Sequence, residues 1–584
     1  MLEPPQDQQG SIIARAFLGI HDGHNASAAL MRGGRLELAL QEERLSRVKN
    51  QGDAPSGATA LARRMAADSP TRVALGGTYT NYGQWTREAI LADYEACSGP
   101  VSRAKQSLKN TFIDRMYQRR QAASRARHLG EIGISPEQTT AVEHHLAHAS
   151  AAYYTSPWAA AATGAKSVLV FTCDGSGDRL SATLSIGERG RLTRIAEVSE
   201  HDSIGRLYAQ ITRHLGMNPL EHEYKVMGLA PYCAGASQTE TAAKPFLDLF
   251  AFTPDGLAWR RKHGVPSMSA GHKLIEGIVT GRRFDAIAAG VQAFVEQMLT
   301  TWVRNAIRAT GLGRIACAGG VFMNVKANLA VLELPEVEEM YVFPSCGDES
   351  NSIGAACWMA AQEGERIQPL GPIYFGEPIT DCEAEAALEP AARAGSLRYS
   401  FEQRIEAKTA DALAQGRIVA RASGAAEFGA RALGNRSILA RADSSAAVRT
   451  LNQAVKLRDF WMPFAPSVLA ERASDYYDKP KPVDSPYMMF AFRSRPERRA
   501  KFCAAQHPYD FTTRPHEVFE RDNPNYYSLL KEYEAHTGEG ILLNTSFNLH
   551  GEPMVYRAAD AVDVFLRSGL EHMALGPWWV EKAG

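Results

Sequence analysis

His144 and His148, in the run His144-His145-Leu146-Ala147-His148, are spaced to share one face of a helix and to aim two imidazoles at one point. The apolar run Val168–Cys173 reads as a buried strand, with Asp174 at its exit in Asp174-Gly175-Ser176-Gly177. Asp348 stands in a second strand-to-helix loop, after Val342-Phe343-Pro344. Such strand ends are where open α/β sheets place ligands. Two imidazoles and two carboxylates make a mixed N/O site for a first-row divalent metal. Room for exogenous oxygens suits Fe(II) or Mn(II) better than a closed structural zinc site, with Co and Zn also admissible. The pattern is not the zinc-protease HExxH, because His145 stands where the glutamate belongs.

Other residues add to this chemistry. His24, in the loop Asp22-Gly23-His24-Asn25, reads either as an imidazole bonded to a backbone carbonyl or as a general base working near neutral pH. Gly319 and Gly320 lie between a strand (Arg314–Cys317) and a helix opening at Asn324, an arrangement that admits an anion or nucleotide. Further on, Arg431, Arg436, Lys456, Arg458 and Arg514 sit in glycine- or proline-marked loops, and guanidinium clusters of this kind grip phosphates. The stretch Leu543–Asn548, with Asn544 and Ser546, offers amides and hydroxyls for a small polar ligand such as a carbamoyl unit.

The elements that must position these groups are an α/β set. Strand Ala16–Ile20, an Asp-Gly loop, strand Ser27–Met31, a glycine turn and strand Arg35–Leu40 form a meander. The same order recurs in Val168–Cys173, the loop Asp174–Asp178, Ser181–Ile186, the turn Gly187–Gly190 and Leu192–Val198. The recurrence predicts a duplicated domain with two equivalent loops on a shared cleft. Prolines 369, 372, 378 and 390 mark a linker over 366–395, beyond which a second α/β domain runs over 396–584. Residues 1–11 read as a disordered lead-in and 12–365 as the metal-binding domain. The chain has 584 residues, 22% of them charged, and a formal net charge of -1, so no overall basic field recruits nucleic acid. Its 8 cysteines are scattered without a CxxC pair, which reads as reduced, cytoplasmic usage. No apolar run reaches the roughly 18 residues a membrane span needs.

Together the motifs resemble the ATP-dependent carbamoyltransferases that decorate antibiotics and nodulation factors, the group containing the tobramycin O-carbamoyltransferase. The resemblance rests on His24–Leu30, Glu42-Glu43-Arg44, His144–His148, Asp174-Gly175, Met227–Ala230, Gly319-Gly320-Val321 with Asn324, and Asp348. In the C-terminal half it rests on Gly429–Ser437, Val455-Lys456, Pro463–Pro466, Thr513–Pro515, Leu543–Asn548 and Gly551-Glu552-Pro553. It implies a duplicated actin/hexokinase-like (ASKHA, Kae1-like) domain followed by a YrdC-like twisted α/β domain. It further implies that ATP and carbamoyl phosphate yield carbamoyl-AMP in the second domain, and that the carbamoyl group then passes to a small-molecule hydroxyl at the metal site of the first. By the same resemblance His144, His148, Asp174 and Asp348 hold an Fe(II)-like ion, His24 is the base, and Lys49 reaches the carbamoylation site. Val48 stands where the related sequences carry a second basic residue, which weakens the Lys49 match. Arg431, Arg436, Lys456, Arg458, Arg514, Asn544 and Ser546 are implied to cradle the phosphates.

Two rival readings are a tRNA threonylcarbamoyl transferase, which the near-neutral charge disfavours, and a non-catalytic actin-fold nucleotide-binding regulator, which the intact metal set disfavours. The segment 77–138 matches the family pattern least. It reads as an acceptor-side insertion or, at its basic run Arg115–Arg127, as a solvated helix. A homodimer is the default expectation.

Overall fold

A computed structural model of the chain describes residues 15–67, 69–78, 86–96, 112–159, 166–233, 235–456 and 459–583. The expected lead-in over 1–11 and Arg458 lie outside these residues.

Strands β1 (Ala16–His21), β2 (Ser27–Arg32) and β3 (Arg35–Gln41) form the anticipated meander, with Leu18 opposite Leu30 and Phe17 opposite Met31. Gly33 and Gly34 both take the positive φ that the tight turn demands. β4 (Thr71–Gly76) and β5 (Thr139–Val142) then add in parallel beyond β1, giving the order β3-β2-β1-β4-β5. The plan repeats in the second sheet. β6 (Val168–Gly177), β7 (Leu180–Glu188) and β8 (Arg191–Ser199) are an antiparallel meander, and β9 (Arg314–Ala318) and β10 (Glu339–Val342) extend β6 in parallel. Both five-stranded sheets therefore read 3-2-1-4-5, so the first domain is a duplicated α/β unit, as the recurrence in the sequence predicts. Residues 174–177, expected as loop, are a continuation of β6 past a register break at Cys173.

Duplication also governs the helices. The fifth strand of each sheet feeds a helix, His144–Tyr154 after β5 and Ser350–Gln362 after β10. Both are rich in small residues, and they cross so closely that a Cβ on Gly354 would stand 1.8 Å from the carbonyl oxygen of Ala147. Only glycine allows that approach.

The C-terminal half is a second α/β domain. It is built on an eight-stranded mixed sheet, whose central strands include Val419–Ala422, Arg436–Arg441, Ile541–Ser546 and Ala465–Leu469. The expected linker over 366–395 needs correction, because a helix, Asp381–Arg393, occupies its second half. Thr380 caps that helix by accepting from Glu383 N, and Leu388 and Ala384 are buried. The solvated-helix reading of Arg115–Arg127 is also corrected at one position. In the helix Phe112–Glu131, Arg125 is buried. Among the described residues, no helix is long and apolar enough to cross a membrane.

Candidate active site

The duplicated sheets bring their strand exits together at one edge. The first strands of the two repeats deliver His24 and Asp174, and the fifth strands deliver the His144 helix and Asp348. One donor atom from each of His144, His148, Asp174 and Asp348 lies within 4.8 Å of the others. His144 Nε2 and His148 Nε2 are 3.1 Å apart, and each is 3.2 Å from Asp174 Oδ2. Asp348 Oδ1 is 3.6 Å and 3.7 Å from the same two nitrogens. Ligands about 2.1 Å from a shared ion, at tetrahedral to octahedral angles, stand about 3.0–3.4 Å from one another. The tightest three atoms of the set have that spacing.

Surrounding groups fix the two imidazoles. Glu143 caps the helix by accepting from His145 N and Leu146 N, and Asp178 Oδ2 accepts from His144 N at 2.7 Å. His148 Nδ1 faces Ser350 Oγ at 3.0 Å. His144 Nδ1 faces the Asn351 amide at 3.3 Å, whose buried Oδ1 has no partner as placed. Turning that amide over lets Oδ1 accept the Nδ1–H of His144, which leaves Nε2 as the lone pair a metal requires. His145 turns away, its Nδ1 on Thr172 Oγ1 at 2.9 Å. The electrostatics agree with a cation here. Burial alone would lower the His144 pKa, but Asp348 and Asp174 overcome it and push it up to about 9. Burial alone would raise the Asp174 carboxyl, but the two histidines hold it well below the usual carboxylate range. The cluster thus favours positive charge among its donors, which is the electrostatic setting that a divalent-metal site requires.

His24 is 9% exposed and lines the cavity that opens beside this cluster. Burial lowers its pKa against the pull of Asp348 and Asp174, which keeps the imidazole neutral and able to take a proton. Lys49 reaches the same cavity and donates to Glu221 Oε1 at 2.7 Å. The cavity measures about 470 Å³ and is walled by both halves of the chain. Gly320 and Asn324 line it, and a Cβ on Gly320 would meet Asp174 Oδ1 at 2.9 Å. From the C-terminal half come Arg431, Lys456 and Ser546. The Lys456 ammonium donates to Ser546 Oγ at 3.1 Å, Asn548 Oδ1 at 2.6 Å and Asn548 O at 3.1 Å. The halves are tied at this wall by Arg44, which donates to Gly429 O at 2.6 Å, and by Arg47, which donates to Met554 O at 2.6 Å.

Three of the expected phosphate ligands, and Gly319 of the glycine loop expected to admit an anion or nucleotide, stand elsewhere. Arg436 is fully buried and donates to the carbonyls of Tyr556, Ser423, Asn435 and Gly424, so it locks the loop ends and does not grip a ligand. Asn544 donates to Ala432 O and Ser467 Oγ inside the sheet. Gly319, at φ +94, lies against the backbone of Cys173, and Arg514 is half-buried outside the cavity wall. Sequence reasoning missed His21, whose Nδ1 faces Gly76 O and Nε2 faces His24 O, each at 3.1 Å. It also missed buried Glu349, bonded to Ser345 Oγ. A charged or imidazole residue beside a strand-exit motif was the available signal in both cases.

Comparison with known proteins matches residues 16–357 to the carbamoyltransferase N-terminus and residues 410–582 to the carbamoyltransferase C-terminus. An uncharacterized protein of Synechocystis is 29% identical, with 94% of each chain covered. The nodulation protein NolO of Bradyrhizobium diazoefficiens is 32% identical over 76% of this chain and 79% of its own. Among solved structures, component A of the Acidaminococcus fermentans (R)-2-hydroxyglutaryl-CoA dehydratase aligns with 60% of this chain and 98% of its own, at 13% identity and a TM-score of 0.33.

Proposed function

The chain belongs to the carbamoyltransferase family, and from that premise we propose that it is an ATP- and metal-dependent O-carbamoyltransferase acting on a hydroxyl of a small-molecule natural product. Carbamoyl phosphate first loses its phosphate to water, giving carbamate. Carbamate oxygen then attacks the α-phosphorus of ATP, forming carbamoyl-AMP and releasing pyrophosphate. Arg431, Lys456 and Ser546 hold the phosphates during this step. In the second step His24 takes the proton of the acceptor hydroxyl, the oxygen attacks the carbamoyl carbon, and AMP leaves with the bonding electron pair. Lys49 stands at the same wall to hold the acceptor or the carbamoyl oxygen. His144, His148, Asp174 and Asp348 would hold a divalent ion, which would supply Lewis-acid stabilisation of the charge on the leaving phosphate.

One observation carries this reading. The base candidate His24, the carboxylates Asp174 and Asp348 of the four-residue donor set, and the cationic C-terminal residues Arg431 and Lys456 all line one cavity, with His144 and His148 behind the two carboxylates in the same cluster. A mixed anhydride made at one wall can then react at the other without crossing bulk water, where it would hydrolyse. The test is incubation with ATP and carbamoyl phosphate, following pyrophosphate, and mass spectrometry of products from a panel of alcohols. Pyrophosphate that depends on carbamoyl phosphate supports the reading. Pyrophosphate that appears only with threonine and bicarbonate, or none at all, overturns it.

A further inference from the structure

The segment 77–138 is the part of the chain that the functional reading leaves unused, yet its described residues reach the site at three points. Arg125 is 4% exposed and Asp22 is 0% exposed. Arg125 Nε and Nη2 each donate to an Asp22 carboxylate oxygen at 2.8 Å, and Nη1 donates to Gly77 O at 2.7 Å. One guanidinium thus fastens the exit of β1 to the exit of β4. The loop it holds by Asp22 is the loop that carries His24, two residues on. Thr78 N and Oγ1 donate to Asp178 at 2.8 Å and 2.6 Å, and Asp178 is the residue that accepts from His144 N. Tyr94 lies under the Arg206 guanidinium at 5.8 Å, and Arg206 Nη2 donates to Ser176 Oγ at 2.9 Å on the cavity wall.

A buried guanidinium with three donors placed on a carboxylate and a carbonyl is a rigid strut. Arg119, Arg120 and Arg127 of the same helix are exposed, so Arg125 alone of these four arginines is turned inward to the β1 and β4 exits. We propose that Arg125 is a positioning residue for the transfer step: through Asp22 it fixes the His24 loop, so that a segment outside the duplicated sheets sets the aim of the base. The inference rests on the role given to His24 above. It separates the half-reactions, because Arg431 and Lys456 form no part of this contact.

The test compares the full-length wild-type chain with Arg125→Lys, Arg125→Gln and the double variant Asp22→Asn/Arg125→Gln, which removes the buried charge left by the single change. Pyrophosphate release from ATP and carbamoyl phosphate reads the first step, and carbamoylation of glycerol, as a surrogate alcohol, reads the second. The ring signal of ¹³C-labelled His24, assigned with His24→Gln, reports loop position without any substrate. The expected result for Arg125→Gln is pyrophosphate release within about twofold of wild type, glycerol kcat lower by about tenfold or more with little change in KM, and a shifted His24 signal. Arg125→Lys recovers part of the transfer rate. The double variant melts like wild type but does not recover transfer. If transfer returns with the melting temperature in the double variant, or both steps fall in parallel, or the His24 signal stays in place, Arg125 is a structural residue and the proposal is wrong. A wild-type chain that makes no pyrophosphate would overturn the functional reading, while the His24 signal would still decide this one.

Discussion

At the scale of single residues, position in the cavity separates groups that look alike in sequence. Arg431 lines the cavity while Arg436 is spent on four carbonyls, although both belong to one glycine-rich motif. Arg431→Ala should therefore remove pyrophosphate release while leaving the fold intact, at a cost of about 1.5–3 kcal/mol or more per lost charge-assisted contact. Arg436→Ala should instead destabilise the chain by at least about 3 kcal/mol, because it orphans buried acceptors, and urea unfolding reads that loss. Equal stability of the two variants would contradict the division. His24→Ala should keep pyrophosphate release and lose product, the opposite pattern to Arg431→Ala. The clustering of His144, His148, Asp174 and Asp348 was legible because helical spacing and strand exits confine them. Arg436 was misplaced because no local pattern says whether a loop guanidinium turns inward. Arg125 was legible only as charge, since its partner Asp22 lies far off in the chain.

Among the elements, the site depends on two helices meeting at glycine distance. Gly354→Val should force the His144–Tyr154 and Ser350–Gln362 helices apart, since even a Cβ there collides with Ala147 O. The expected cost is about 1–3 kcal/mol or more, with a parallel fall in metal bound per chain measured by plasma mass spectrometry. Retention of full metal content would show that helix spacing does not set the donor geometry. The meanders were readable from their glycine turns and alternation, and so was their recurrence. The helix Asp381–Arg393 was hidden by Pro390, a residue that usually breaks helices. It is tolerated because it lies on the exposed side near the helix end, where a freed carbonyl is open to solvent. The capping pair Thr380 and Glu383 was the sequence signal that outweighs the proline.

For the molecule as a whole, the two halves close one chamber, and its stability carries a pH signature. His516 is buried in the C-terminal sheet with Nδ1 on Ser467 Oγ at 3.1 Å, and burial pushes its pKa down to about 3. The unfolded chain takes up that proton near pH 6.5, so stability present above that pH is lost as pH falls from about 6.5 toward about 3, at about 1.4 kcal/mol per unit. His516→Asn should flatten this limb by one proton in pH-dependent urea unfolding, and an unchanged slope would contradict the assignment. The central claim concerns the chamber. Its most direct test is metal analysis of chain purified without added metal and without air, followed by assay of both half-reactions with and without chelator. The account predicts about one first-row divalent ion per chain, carbamoyl transfer that stops in chelator and returns with Fe(II), and loss of the ion in His148→Ala. A metal-free chain that carbamoylates at full rate in chelator would contradict it.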